Sequence, residues 1–207
     1  MSAEGSRARA GPEERAAELR GRLRDILFAD PWFVDLLRAA RTVDAPDWVI
    51  GAGVIRDVVW DALHGKPRGL VKDVDLAFFD PADLRPENDA AVERALALAM
   101  PGVRWDAKNQ AAVHLWYERR FGHAIPPITG IADGIARWPE TATAIGVRLE
   151  ESDDLTVVAP CGLDDLFELV LRRNPRQVSR AYFEERLARK DISGRWPRVR
   201  VVREPAS

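Results

Sequence analysis

The hydrophobic positions of the first 45 residues recur at helical spacing. Leu19, Leu23, Ile26 and Leu27 form one stripe, with Pro12 placed where it can occupy a first helical turn. Asp30-Pro31 then reads as a cap, and "WFVDLLRAA" as a second short helix. The pattern changes at "DWVIGAG", a short buried strand that stops in a glycine turn, and changes back in "VIRDVVWDALHG", a helix closed by Gly65. After the polar loop "KPRG", the run "VKDVDLAFF" alternates. Lys72, Val74, Leu76 and Phe78 fall on one face, and Asp73, Asp75, Ala77 and Phe79 on the other, so both acids share a strand face.

Asp80-Pro81 ends that strand, and "ENDAAVERALALAM" predicts a helix that packs through Ala91, Ala95, Leu98 and Ala99. Pro101-Gly102 stops it, "VRWD" reads as a strand ending at Asp106, and "AKNQAAVHLWYERRFG" as a further helix. Strand and helix thus alternate through the middle of the chain, the signature of an α/β fold. Later, "AIGVRLEESDDLTVVAP" predicts a hairpin turning at Ser152 to Asp154, "GLDDLFELVLRR" a helix with Asp164 and Asp165 near its positive end, and "RQVSRAYFEERLARK" the last helix. The expected architecture is α/β (α+β): a mixed sheet flanked by helices, an N-terminal helical preface, and a C-terminal hairpin plus helices.

Composition narrows the class. With 207 residues, 31% charged, 46% hydrophobic and a net charge of -2, the chain suits one domain spanning 1–207, with residues 1–11 a flexible tail. No global basic field advertises nucleic acid. Cys161 is the sole cysteine, which excludes an intramolecular disulfide and a thiolate metal cluster and fits a reducing compartment. No run approaches the ~18 apolar residues of a membrane span. The N-terminus lacks an apolar signal core, so the expected location is cytoplasmic.

Two chemistries compete for the glycine turn. A dinucleotide fold wants G-x-G-x-x-G and one acid about twenty residues later. Gly51 and Gly53 match, but Arg56 stands at the third glycine position, and a second acid is left unexplained. Metal-dependent phosphoryl transfer explains it: Asp73 and Asp75 would hold Mg²⁺ (or Mn²⁺) through hard oxygens, and Asp106 would supply a third carboxylate from a neighbouring strand. Asp133 is a rival third acid, expected on a loop. Gly51, Ala52 and Gly53 would bring backbone amides to an NTP, with Arg56 reaching the same phosphates. Asn109 and Gln110 could read a base or ribose, although an Asn at a helix start is as often a cap. Lys72 faces away from the acids. His114 reads as structural, and Trp116, Tyr117 and Trp138 as core or rim residues able to stack on a base.

"GAGVIRD" followed by "DVDL" resembles the nucleotidyltransferase superfamily of polymerase-beta type, and is especially similar to the head of tRNA CCA-adding enzymes. More of the chain, about Trp48 to Pro197, resembles a family of small bacterial nucleotidyltransferase-like proteins, through "WDAKNQAAVHLWY", "WPETATAIGVRL", "APCGLDDLFEL" and a late "WP". The departure is Ala52, which separates the glycines that the wider superfamily keeps adjacent as Gly-Gly or Gly-Ser. The resemblance implies a metal-dependent nucleotidyl site. The resulting expectation is transfer of a nucleoside monophosphate from an NTP to an acceptor hydroxyl on a small molecule, a protein or an RNA, with release of pyrophosphate. The alternatives are a non-catalytic nucleotide-binding or regulatory module of the same fold, and a Rossmann-type dinucleotide-binding protein.

Overall fold

The computed structural model describes residues 11–203; residues 1–10 of the expected flexible tail lie outside the described residues. Two helices open the chain, α1 (Pro12–Phe28) and α2 (Pro31–Arg41), each with proline in its first turn. The Asp30 side chain caps α2 by accepting from the Trp32 amide at 3.1 Å. Leu19, Leu23 and Leu27 of α1 are buried beside Phe33, Leu36 and Leu37 of α2. Next come β1 (Val49–Gly51), α3 (Gly53–Leu63), β2 (Val74–Phe78), α4 (Pro86–Ala99) and β3 (Trp105–Asn109). They are followed by α5 (Val113–Phe121), α6 (Ile131–Ile135), β4 (Gly146–Leu149), β5 (Leu155–Val158), α7 (Asp164–Phe167) and β6 (Val170–Arg172). The described chain ends with α8 (Arg180–Ala188), α9 (Ile192–Arg195) and β7 (Arg200–Val202). None of the described helices is long and apolar enough to cross a membrane.

Among the described residues the principal sheet has five strands in the order β3-β2-β1-β4-β5, with β6 and β7 as a separate parallel pair. Only β2 and β3 run parallel within the five; the remaining neighbours are antiparallel. A Rossmann βαβ unit would require β1 and β2, the strands flanking α3, to be parallel if paired. They pair antiparallel, so the glycine turn does not belong to a dinucleotide unit. The alternation along β2 sends Val74, Leu76 and Phe78 into the main core, where α1–α4 pack. Ala77 joins Val49, Ile131, Ile135 and Ala144 in a smaller cluster on the other face.

Several segments differ from expectation. The strand begun by "VRW" continues to Asn109, because the parallel pairing with β2 runs through Lys108 and Asn109. In α4 the buried side chains are Val92 and Leu96, while Leu98 is 83% exposed; the larger apolar side chains win the inner face from the alanines. "GLDDLFELVLRR" is one turn of helix, a positive-φ Leu169 (φ 56°), and then β6. Its valine and leucine pair with Val201 and its neighbours some thirty residues away, a partner that local periodicity does not announce.

The C-terminal segment is fastened to α3 through Asp61, a buried acid. Its carboxylate accepts from Arg195 Nη2 (2.7 Å), Trp196 Nε1 (2.8 Å) and the Gly69 amide (2.8 Å). The Trp60 and Trp196 rings meet edge to face, with centroids 5.2 Å apart. Burial raises the Asp61 pKa, but these donors outweigh it and hold the group below its ordinary value. A depressed acid stabilises the fold above its ordinary value near 3.8, and that contribution fades as pH falls through the folded value. Asp61→Ala should therefore cost about 3 kcal/mol at neutral pH by urea denaturation, with the difference from the parent chain shrinking in acid.

Candidate active site

The strand registers bring the expected carboxylates together. Gly51 pairs with Asp75 across β1 and β2, and Asp75 pairs with Asp106 across β2 and β3. Strand alternation aims both acids at the face opposite the main core. Asp73, immediately before β2, opens onto the same cavity. That cavity encloses about 410 Å³, and its lining includes Ala52, Gly53, Arg56, Asp73, Asp75, Asp106 and Gln110.

Burial and neighbouring negative charge act together on one of these acids. Burial, reinforced by Asp73 and Asp106, pushes the Asp75 carboxyl up to about 6. The flanking acids each have one cation at hand. Arg104 Nη2 lies 3.3 Å from Asp73, and Lys108 Nζ lies 3.0 Å from Asp106 Oδ1 at an angle that leaves this buried oxygen without a hydrogen bond. Among the described residues no three His, Cys, Asp or Glu side chains are gathered closely enough to grip a metal as they stand. The donor chemistry nevertheless suits a hard divalent cation: carboxylates that repel one another, one of them with a buried oxygen met only by the Lys108 ion pair, line one cavity.

At the glycine turn the three residues have different tasks. A Cβ on Gly51 would sit 2.5 Å from the Trp138 ring and 2.8 Å from the Ile145 carbonyl, so this glycine serves packing rather than ligand access. Ala52 has φ 56° and ψ -123°, a conformation unfavourable for a residue with a Cβ, and its amide donates to Ile145 O at 3.1 Å. Gly53 is the open position: a Cβ there would meet only Arg56 Nη2, at 3.8 Å. It begins α3 and lines the cavity, at the helix end where backbone amides lack intrahelical partners.

Arg56 is 7% exposed. Its Nε and Nη2 donate to Asp57 at 2.9 and 2.5 Å, and its guanidinium lies over the rings of Trp60 and Trp196. Nη1 is buried with no hydrogen-bond partner on a group that lines the cavity. An unpaired guanidinium N–H in such a place is a donor awaiting an acceptor. Beside it, Arg186 and Lys190 of the α8 region converge on Glu140, with Arg186 Nε at 2.7 Å and Lys190 Nζ at 3.2 Å. Thr143 Oγ1 donates to the same carboxylate at 3.0 Å. Burial alone would raise the Glu140 pKa, but Lys190 and Arg186 pull it down to about 2. Burial, with help from Arg56 and Arg186, brings Lys190 down to about 8 against the pull of Glu140.

Besides Gly51, the structure leaves two residues singled out from the sequence outside the cavity. Asn109 faces the core side of β3, where its side chain receives the Asp80 and Ala111 amides and donates to the carbonyls of Asp80 and Asp83. It is a loop clamp and cap. Asp133 sits on α6 rather than a loop, paired with Arg137 at 2.8 Å, and does not line the cavity. The charged cavity residues beyond the expected set are Lys108, Glu140, Arg186 and Lys190. Lys108 follows from carrying the β3 alternation two residues past Asp106. The other three come from distant segments whose charges read as solvated surface.

The family model described as "Nucleotidyltransferase" matches residues 38–201. The chain belongs to the nucleotidyltransferase family. A structure solved by NMR and described as revealing a CCA-adding enzyme head domain is 27% identical, overlaps 87% of this chain and 96% of that one, and superposes with a TM-score of 0.72. A CCA-adding enzyme in complex with CTP (18% identity, 91% of this chain, 43% of that chain, TM-score 0.51) has the same fold over its matched part. So does a Thermotoga maritima CCA-adding enzyme complexed with tRNA (17%, 87%, 42%, TM-score 0.52). The present chain spans less than half of either enzyme. No protein of curated function matches it. Family and fold agree with the polymerase-beta-type superfamily, and assign this nucleotidyltransferase NTP-using chemistry in general terms.

In this nucleotidyltransferase Arg186 and Lys190 share the buried Glu140 as their counter-charge. Glu140→Gln should lower stability by about 3 kcal/mol in urea denaturation at pH 7, since Arg186 and Lys190 would be left without their shared carboxylate. The lowered pKa fixes the sign: the contribution of Glu140 is complete above 4.5 and is lost as pH falls toward about 2. The gap between parent and variant should narrow over that interval.

Proposed function

We propose that the chain transfers a nucleoside monophosphate from an NTP to an acceptor hydroxyl and releases pyrophosphate. The observation that carries this reading is that one cavity is lined by an acidic cluster and a basic cluster from different elements. Asp75 and Asp106 come from β2 and β3 and Asp73 from the residue ahead of β2, and Arg56, Arg186 and Lys190 from α3 and the α8 region. A triphosphate crossing between them would present its tail to the cations and its reacting phosphorus near the acids.

Each residue then has a task in its own right. Arg56 Nη1 and the first-turn amides of α3, starting at Gly53, donate to the β- and γ-phosphate oxygens, and Lys190 supplies a third positive contact. Asp106, carrying an unbonded oxygen, receives the proton of the acceptor hydroxyl. The new bond joins the acceptor oxygen to the α-phosphorus, the α,β-bridging bond breaks, and pyrophosphate departs toward the basic cluster. Asp73, Asp75 and Asp106 would hold Mg²⁺ or Mn²⁺, which when bound neutralises charge developing on the phosphoryl oxygens. The CTP and tRNA of the CCA-adding complexes suit this reading, with the acceptor class left open. A nucleotide-binding module without turnover gains some support from the Arg104–Asp73 and Lys108–Asp106 pairs, which already neutralise two of the acids.

Three outcomes test the proposal. Asp75→Asn should reduce pyrophosphate release with MgATP, or with whichever NTP proves preferred, by at least about a hundredfold while the thermal melt stays cooperative. Undiminished release would end the assignment, and binding without release in the parent chain would select the non-catalytic module. Mn²⁺ binding followed by electron paramagnetic resonance should weaken as pH falls below about 6, where Asp75 takes up a proton. NTP affinity should decline as pH rises above about 8, because Lys190 loses its charge there, and Lys190→Arg should abolish that alkaline limb.

A further inference from the structure

A second, largely apolar compartment of about 190 Å³ opens beside the reaction cavity. The two share Lys108, Gln110, Trp138 and Pro139 as a common wall. The new compartment lies between α5, α6 and α8, and its remaining lining is dominated by Val113, Trp116, Tyr117, Phe121, Ile128 and Tyr182. Several of these rings already meet: Tyr117 and Phe121 have centroids 4.4 Å apart, and Phe121 and Tyr182 5.2 Å apart with planes at 79°. None of the residues assigned to nucleotide or metal contacts needs this space, apart from the shared wall.

Resting on the nucleotidyl-transfer reading, we propose that the compartment binds the acceptor, and that the acceptor is a small molecule with a flat apolar ring system bearing the reacting hydroxyl. Size supports a ring, since a dry apolar cavity of about 150 Å³ suffices to bind benzene. Position supports the acceptor, because the shared wall includes Lys108, the direct partner of Asp106. A ring seated here directs its hydroxyl past Lys108 toward the Asp106 carboxylate. Chemistry argues against the nucleobase, which is read through hydrogen bonds to its edge. Gln110 donates to the Lys108 carbonyl and accepts from Trp138 Nε1. The Arg137 guanidinium is spent on Asp133 and the Pro126 carbonyl. The mainly aromatic and aliphatic lining also suits an RNA end poorly, because Lys108 and the Asp133-paired Arg137 are the cations it offers to phosphates.

The test uses 2-naphthol as the ring-plus-hydroxyl probe and MgATP as the nucleotide, each titrated by calorimetry into the full chain and into two variants. Val113→Trp fills the compartment, and Trp116→Ala, at a partly exposed position, removes one wall with less risk to folding. The expected result is one 2-naphthol site whose affinity falls at least tenfold in either variant that folds, while MgATP affinity stays within twofold. Adenosine displacing 2-naphthol, or MgATP weakening tenfold in the variants, would identify a base pocket and overturn the proposal. So would absence of 2-naphthol binding to the parent chain. Failure of MgATP, MgCTP, MgGTP and MgUTP alike to bind, with 2-naphthol bound normally, would retain the ring site and remove the nucleotidyl-transfer reading instead.

Discussion

Repulsion among Asp73, Asp75 and Asp106 is the constraint around which the rest of the molecule is arranged. Parallel pairing of β2 and β3 fixes Asp75 beside Asp106, and the acid ahead of β2 adds a third negative charge to a partly buried wall. Burial first, and then the two neighbouring acids, raise the Asp75 pKa. An enclosure of this kind is tolerable only where compensating positive charge is close and rigid. Arg104 and Lys108 pair with the flanking acids, and Arg56, Arg186 and Lys190 line the same cavity. The fold thereby holds an acidic and a basic cluster in one cavity.

Holding that arrangement requires long-range fastening. Arg56 cannot pivot toward the acids, because Asp57 grips two of its nitrogens and the Trp60 and Trp196 rings flank its guanidinium. Asp57 is in turn held by Arg195 at 2.8 Å, and the same Arg195 reaches Asp61. A residue near the end of the described chain thus sets the orientation of an arginine just after the glycine turn. The C-terminal segment does more than cover the core: α8 supplies Arg186, the turn after it supplies Lys190, and α9 supplies the clamp on α3.

What was legible from the residues follows the range of the interactions. The acid pair on one strand face is a local consequence of period-two alternation, and Asp30 at the start of α2 a local consequence of capping chemistry. The hairpin turn between β4 and β5 was equally local. Pairings that span the chain left no periodic trace. "ELVLRR" has an amphipathic helical look until Arg200–Val202 arrives to pair with it, and Glu140 resembles any surface acid until α8 packs over it. Asn109 shows the converse: its identity suited ligand contact, but the parallel ladder with β2 extended the strand and turned its amide to the Asp80–Asp83 loop.

Ala52 makes the same point about strain. A residue with a Cβ at φ 56° and ψ -123° costs of the order of 1–3 kcal/mol relative to an unstrained conformation. The surroundings that enforce it are its amide bond to Ile145 O and the Trp138 ring lying against Gly51. The same Trp138 forms part of the wall between the two cavities. A turn relaxed by glycine at position 52 would gain backbone freedom where Trp138 and α3 are both anchored. The strained alanine is thus consistent with a site in which the position of that wall, relative to Gly53 and Arg56, matters more than the local conformational energy.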